Sequence, residues 1–260
     1  MATFVLLPGA GGMAWYWHRV APLIRAAGHE AIAVDLPGDD RNSGLAAYAD
    51  IVIGAMAQRT DVILVAQSLG GFTAPLVCER APVRTVVFVN AMIPEPGETA
   101  GAWWGATGAV EAREEAARRG GYPTEFDVGT YFLHDVPQDV LRTGPEQPRE
   151  EAPTVFGEPC RFERWPDIPL HVLAARDDRF FPLEFQRRVA RARLGKEIEE
   201  IPGGPSRCVV ESGSVDRAPS CIWRGLTRSL AVASCGCRTV TVSAVWVRPD
   251  ITPLCPARRF

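Results

Sequence analysis

Val65-Ala66-Gln67-Ser68-Leu69-Gly70-Gly71 follows directly on an apolar run over residues 61–65, and its reading decides the fold. The run is rich in Val, Ile and Leu, and residues 71–79 beyond it carry helical spacing. Strand, sharp turn with an exposed hydroxyl, then helix is the pattern of a nucleophile elbow. Ala66 stands where the G-x-S-x-G motif has its first glycine, and alanine is still small enough for the close strand–helix approach. The plainer alternative is a polar residue at an ordinary strand–helix junction, since short motifs also match by chance.

Outward from this turn, the first 90 residues alternate strand and helix. The apolar runs predict strands at 3–7, 31–34, 61–65 and 85–90, and helices at 15–27, 45–58 and 71–79. The 85–90 run is apolar almost throughout, as expected of a strand covered on both faces. Repeated strand–helix–strand order predicts a mostly parallel, doubly covered sheet, an α/β fold. From 93 to 169 the rhythm stops. Trp103-Trp104, a charged helix-like stretch at 110–119, Gly120-Gly121 and the segment 131–133 form an insertion expected to lack strands and to sit as a lid over a site. The rhythm resumes with a strand at 170–174, a helix at 183–194, a strand at 197–201, and then Pro202-Gly203-Gly204. The expected organisation is a core of residues 1–92 and 170–204, a helical lid of 93–169, and an atypical tail of 205–260 expected to be poorly ordered.

Three further features bear on chemistry. Pro8-Gly9-Ala10-Gly11-Gly12 follows the first strand. Acyl transfer needs amide donors aimed at the developing oxyanion, one just past the nucleophile and one from an early loop. Leu69 N–H and Ala10 N–H are the candidates. A phosphate loop is disfavoured because no Lys-Ser/Thr follows and the G-x-G-x-x-G spacing is absent. Asp178, just past the 170–174 strand, is placed to orient a histidine, with Asp177 as its rival and a solvated acidic pair as the plain alternative. The histidine itself is the difficulty. The four are His18, His29, His134 and His171, and none follows. His18 and His29 belong to the first helix and its exit, and His171 to a strand. His134, in the lid, is the one that could approach a pocket. Trp103, Trp104, Tyr131 and Phe132 are candidate pocket residues for a small, partly aromatic or apolar substrate, or else lid core.

With these motifs in order, the chain resembles the α/β-hydrolase family, in particular its branch of small esterases and hydroxynitrile lyases typified by plant methylesterases. The resemblance spans about residues 3–204: the first strand and glycine loop with Trp15 and Trp17, Ala27-Gly28-His29, Asp35-Leu36-Pro37-Gly38, the serine turn, Asp178 through Phe185-Gln186, and Pro202-Gly203-Gly204. It implies an α/β-hydrolase fold with a serine nucleophile at Ser68, an acid at Asp178, and oxyanion donors at Ala10 and Leu69. It also implies a small-molecule ester substrate and no metal or organic cofactor. The resemblance also prefers Asp178 to Asp177, since the family's acid stands at this spacing before a proline and a Phe-Gln pair. The lyases of this branch carry a threonine early in the oxyanion loop and a lysine beside the catalytic histidine. Here Gly9 holds the first position and no lysine lies near 205, which favours ester hydrolysis over cyanohydrin cleavage. The family histidine, directly or one residue after the two glycines, is replaced by Pro205 and Ser206. A non-catalytic ligand-binding role on the same fold is therefore the rival expectation.

Composition sets the outer bounds. The chain has 260 residues, 47% hydrophobic and 23% charged, with a formal net charge of −3. That charge offers no basic field for nucleic acid or an anionic membrane. No apolar run reaches the length of a membrane span, and the short apolar start lacks the basic lead of a secretory signal. A cytoplasmic location is expected. Cys78 and Cys160 precede residue 205, whereas Cys208, Cys221, Cys235, Cys237 and Cys255 crowd the tail, and Lys196 is the sole lysine among 28 basic residues. No C-x₂-C pair occurs, so a zinc site is disfavoured. The tail also loses periodicity. Pro205-Ser206-Arg207-Cys208-Val209-Val210 can be written CCA TCT CGT TGC GTT GTC, and omitting the first base gives CAT CTC GTT GCG TTG, or His-Leu-Val-Ala-Leu. The tail thus reads as the product of a frameshift near codon 205, which would leave the polypeptide an impaired enzyme.

Overall fold

A computed structural model describes residues 1–144 and 149–206. The expectation of a poorly ordered tail falls on residues outside these, apart from Pro205 and Ser206. The elements run β1 (Thr3–Leu7), a 3₁₀ turn (Ala14–Trp17), α1 (Val20–Ala26), β2 (Glu30–Ala33), α2 (Leu45–Met56), β3 (Val62–Gln67), α3 (Gly70–Cys78) and β4 (Thr85–Val89). Next come α4 (Ala100–Thr107), α5 (Ala109–Gly120), α6 (Val128–Phe132), α7 (Gln138–Leu141) and α8 (Pro153–Gly157). The sheet is completed by β5 (Leu170–Ala175), α9 (Leu183–Leu194) and β6 (Glu199–Ile201).

The strands lie in the order β2-β1-β3-β4-β5-β6, and every pairing is parallel. Because the chain leaves β1 for β2 on one side and then crosses to β3 on the other, a crevice opens at the carboxyl ends of β1 and β3. Ligands bind at such a switch point in open α/β sheets. The register sets Leu7 beside Ala66, so the loops after these two strands emerge together.

Side chains alternate between the two faces of the sheet. Val5, Leu7, Val62, Leu64, Ala66, Val86 and Phe88 join a core with residues of α2, α3, α9 and the lid. Phe4, Leu6, Ile63, Val65, Val87 and Val89 belong to a second core that includes Trp17, Val20 and Ile24. Burial of both faces explains why these strands read as unbroken apolar runs.

The expected helix at 15–27 is broken in two, with α1 starting only at Val20. Pro22 is the reason. It has no N–H to donate, and its ring would collide with the carbonyl four residues earlier, at His18. The insertion between β4 and β5 is helical as expected, with one isolated antiparallel bridge between Thr99 and Pro159. Its helices start where capping side chains allow: Thr99 accepts from the Ala102 amide and opens α4, and Asp127 accepts from the Thr130 amide and opens α6. Among the described residues no helix is long and apolar enough to cross a membrane.

Candidate active site

Ser68 occupies the single residue between β3 and the leucine that caps α3, with φ of +48°. A non-glycine residue there costs about 1–3 kcal/mol and persists only when its surroundings over-determine it. They do. The Ser68 amide donates to Val89 O, and its carbonyl accepts from Gly71 N–H (3.1 Å) and Met92 N–H (2.9 Å). Neighbouring glycines make the turn possible. A Cβ on Gly71 would lie 1.9 Å from Met92 O, one on Gly70 2.7 Å from Pro8 O, and one on Gly9 2.9 Å from Ser68 Cβ. The glycine loop therefore passes directly against the serine side chain.

That loop is a tight turn closed by Gly12 N–H donating to Gly9 O (3.1 Å), with Gly11 at φ +83°. Among the described residues, neither the Ala10 nor the Leu69 amide is engaged by another group. The segment that returns from the lid is bound to the loop. Glu151 accepts from Gly11 N–H (2.6 Å) and from Tyr48 OH (2.6 Å), Ala152 N–H donates to Gly38 O (2.6 Å), and Arg149 reaches Leu36 O and Asp35 (2.9 Å). Burial raises the Glu151 carboxyl above the usual range, against the pull of its hydrogen bonds to Tyr48 and Gly11.

The two acids after β5 separate cleanly. Asp178 is buried, and its Oδ1 accepts from the amides of Phe180 and Phe181, each at 2.8 Å. Among the described residues, its Oδ2 has only a long contact, 3.4 Å, from Gln186 Nε2. Burial pushes its carboxyl up to about 7, the two amides opposing and Asp135 adding to the rise. Asp177 is exposed and is used instead to hold the final turn, by exchanging bonds with Gly203.

Among the described residues no histidine lines the cavity in front of Ser68. His18 stacks on Trp15 (4.4 Å) and His29 takes the Ala2 amide. His171 lies beside Glu199, with burial lowering its pKa. His134 sits against Gly204, where a Cβ would come within 2.8 Å of its ring. Its Nδ1 is buried and unpartnered among the described residues, and burial lowers its pKa against the influence of Asp135.

The cavity measures about 430 Å³. Among the described residues it is lined by Gly9, Ala10, Gln67, Ser68 and Ser206, by Trp15 and Tyr16, and by Val128, Phe132, Leu133, Val136, Val140, Leu141 and Gly144 of the lid. No ionisable carboxylate, Lys or Arg is among these. Of the four aromatic residues expected to form the pocket, Phe132 alone lines it. Trp103 is fully buried, donates to Ile93 O, and packs on Phe181 and Phe185. Trp104 contacts Phe180 and Phe181, and Tyr131 is fully buried with its hydroxyl on Pro123 O. These three fix the lid to the core and to itself, so they are packing residues. Trp15 and Tyr16 do line the cavity. Their place, just after the glycine loop, was the sequence signal that could have found them.

A strained serine at a switch point, two unengaged amides and an apolar cavity define a hydrolase-like site on a parallel α/β sheet. The profile of the alpha/beta hydrolase family matches residues 4–213, and the chain belongs to that family. It is 37% identical over 106 residues to methyl jasmonate esterase 1 of Vitis vinifera, covering 36% of this chain and 40% of that one. It is 26% identical over 155 residues to norfluorocurarine synthase 1 of Strychnos nux-vomica, covering 55% and 56%. The match thus spans about half the length of these curated relatives or less. Among solved structures, a methylesterase from Arabidopsis superposes with a TM-score of 0.67 at 17% identity, covering 89% of this chain and 100% of that one.

Proposed function

We propose that this chain is a serine-dependent hydrolase of small, uncharged carboxylic esters, working without an imidazole base and hence slowly. One observation carries the reading: Ser68 is held at positive φ against the glycine loop and opens on an apolar cavity. Its Oγ attacks the ester carbonyl, and the carbonyl electron pair moves to oxygen, between the free amides of Ala10 and Leu69. Collapse of that intermediate expels the alcohol, and water then attacks the acyl-serine to release the acid. The protons pass to and from solvent. In a well-studied serine protease, loss of the triad histidine costs about 10⁶-fold in kcat, with roughly 10³–10⁴ over water surviving from the oxyanion hole and binding. Turnover at that residual level is the expectation. Hydrolysis of p-nitrophenyl acetate by the chain and by Ser68→Ala tests it, and equal rates would refute it.

The esterase names of the relatives support an ester substrate, and the lack of charge among the described lining residues supports a neutral one. Ser206, buried in the cavity with Ser68, occupies one of the two positions where the family resemblance calls for histidine. A frameshift near codon 205 accounts for that replacement, and the nucleotide sequence across codons 200–215 decides it. The missing imidazole also supports a second reading, a ligand receptor on the hydrolase fold. Tight binding of a small ester that shows no Ser68-dependent turnover would favour it.

A further inference from the structure

We infer that Glu151 is a positioning residue for the oxyanion loop: its carboxylate, bridging the Gly11 amide and the Tyr48 hydroxyl, locks the Gly9–Gly12 turn in the form that leaves the Ala10 N–H free at the cavity. This rests on the serine-hydrolase reading only in giving that N–H a catalytic use.

The geometry of the turn supplies the reasoning. Gly12 N–H donates to Gly9 O, and Gly11 has φ +83°, the value of the second central residue of a type II turn. Gly9 C=O and Ala10 N–H share one trans peptide plane and point in opposite directions. With the carbonyl bound inside the turn, the Ala10 N–H is directed out of it. The next plane, Ala10 to Gly11, is the one that rotates by about half a turn between types II and I. Its N–H is the group that Glu151 holds at 2.6 Å. The carboxylate therefore holds the turn's central plane, and with it the closed Gly12-to-Gly9 bond that keeps the Gly9 carbonyl inward and the Ala10 N–H outward.

Glu151 is itself fixed. Tyr48, on α2, is buried and donates to its other oxygen at 2.6 Å. Arg149 and Asp39 are the charged groups facing the carboxyl, of opposite influence, with Tyr48 its titratable neighbour. Gly11 is tied to the same segment sterically, since a Cβ there would lie 2.3 Å from Arg149 O. In a chain without a triad histidine the oxyanion donors carry most of the remaining catalysis, so their alignment has an outsized effect.

The test uses the full chain and p-nitrophenyl acetate, with Ser68→Ala giving the background. Removing one oxyanion donor outright costs about 10²–10³ in kcat, so its misalignment in Glu151→Ala is expected to lower Ser68-dependent kcat on the order of tenfold with KM unchanged. Glu151→Gln, which keeps an acceptor, is expected to restore most of that loss. Amide exchange at Gly11 is read in parallel, expected to quicken in Glu151→Ala and less so in Tyr48→Phe, which spares the carboxylate. Unchanged kcat in Glu151→Ala, a change in KM alone, or undiminished Gly11 protection would overturn the proposal. If wild type and Ser68→Ala hydrolyse equally, the serine-hydrolase reading fails, and Gly11 exchange still decides whether Glu151 holds the turn.

Discussion

Ser68 and Asp178 each sit in a state that an unconstrained residue avoids, and each gives a measurable consequence. Glycine adopts φ +48° without the side-chain penalty, so Ser68→Gly is expected to stabilise the fold by up to about 1 kcal/mol in urea denaturation while abolishing serine-dependent turnover. Ser68→Ala should abolish turnover with no such gain. Asp178 holds its proton more tightly folded than unfolded, burial raising its pKa from the ordinary 3.8 to about 7. Between those values the native state binds more protons than the unfolded chain, so this residue makes stability fall as pH rises, and its full penalty stands above pH 7. Asp178→Asn should therefore be more stable than wild type at pH 8 and close to it at about pH 4. Denaturant midpoints at the two pH values check the sign. The family resemblance favoured Asp178 over Asp177, but only burial shows their division of labour, because adjacent identical residues differ in nothing but which way the chain faces them.

At the scale of elements, the strands were legible to within a residue or two, since both sheet faces are covered and the central strands β1, β3 and β4 are apolar nearly throughout. Helix limits were less so where a proline intervened, as at Pro22. The lid resisted reading for a different reason. Its aromatic residues are equally suited to lining a cavity or gripping a core, and no periodicity records how an insertion is oriented on the sheet beneath it. Trp103 and Tyr131 turned inward, whereas Val128 and Phe132 of α6 and Val140 and Leu141 of α7 face the cavity. The root of the lid is held by an ion pair between Glu98 and Arg193 of α9, with side chains only 10% and 6% exposed and a further bond from Arg193 to Ile93 O (2.7 Å). Breaking a buried pair strands a charge, so Arg193→Met should cost about 3–5 kcal/mol. Combined with Glu98→Gln, it should cost much less than the sum, a non-additivity that a double-mutant cycle would register.

Across the whole molecule, the parallel arrangement gives the sheet two unlike edges. Ser68, Ala10 and Asp178 all lie beyond carboxyl ends of strands. The amino ends are joined by polar contacts instead: Arg59 with Glu30, Glu30 with Thr3, Arg84 with Asp61, and Thr85 with Pro169 O. Arg59→Ala combined with Arg84→Ala should lower the melting temperature slightly, by an amount that shrinks as salt is added, and leave Ser68-dependent hydrolysis unchanged. The site was legible in its parts, as a motif after one strand, a loop after another and an acid after a third. What sequence could not supply was the cross-linking of Glu151 to Gly11 across 140 positions, because no local rule connects them. Chemistry gathered along one rim leaves the opposite rim free to drift: a lineage could adapt to heat or brine by rewriting those ion pairs, never disturbing the machinery that meets the substrate.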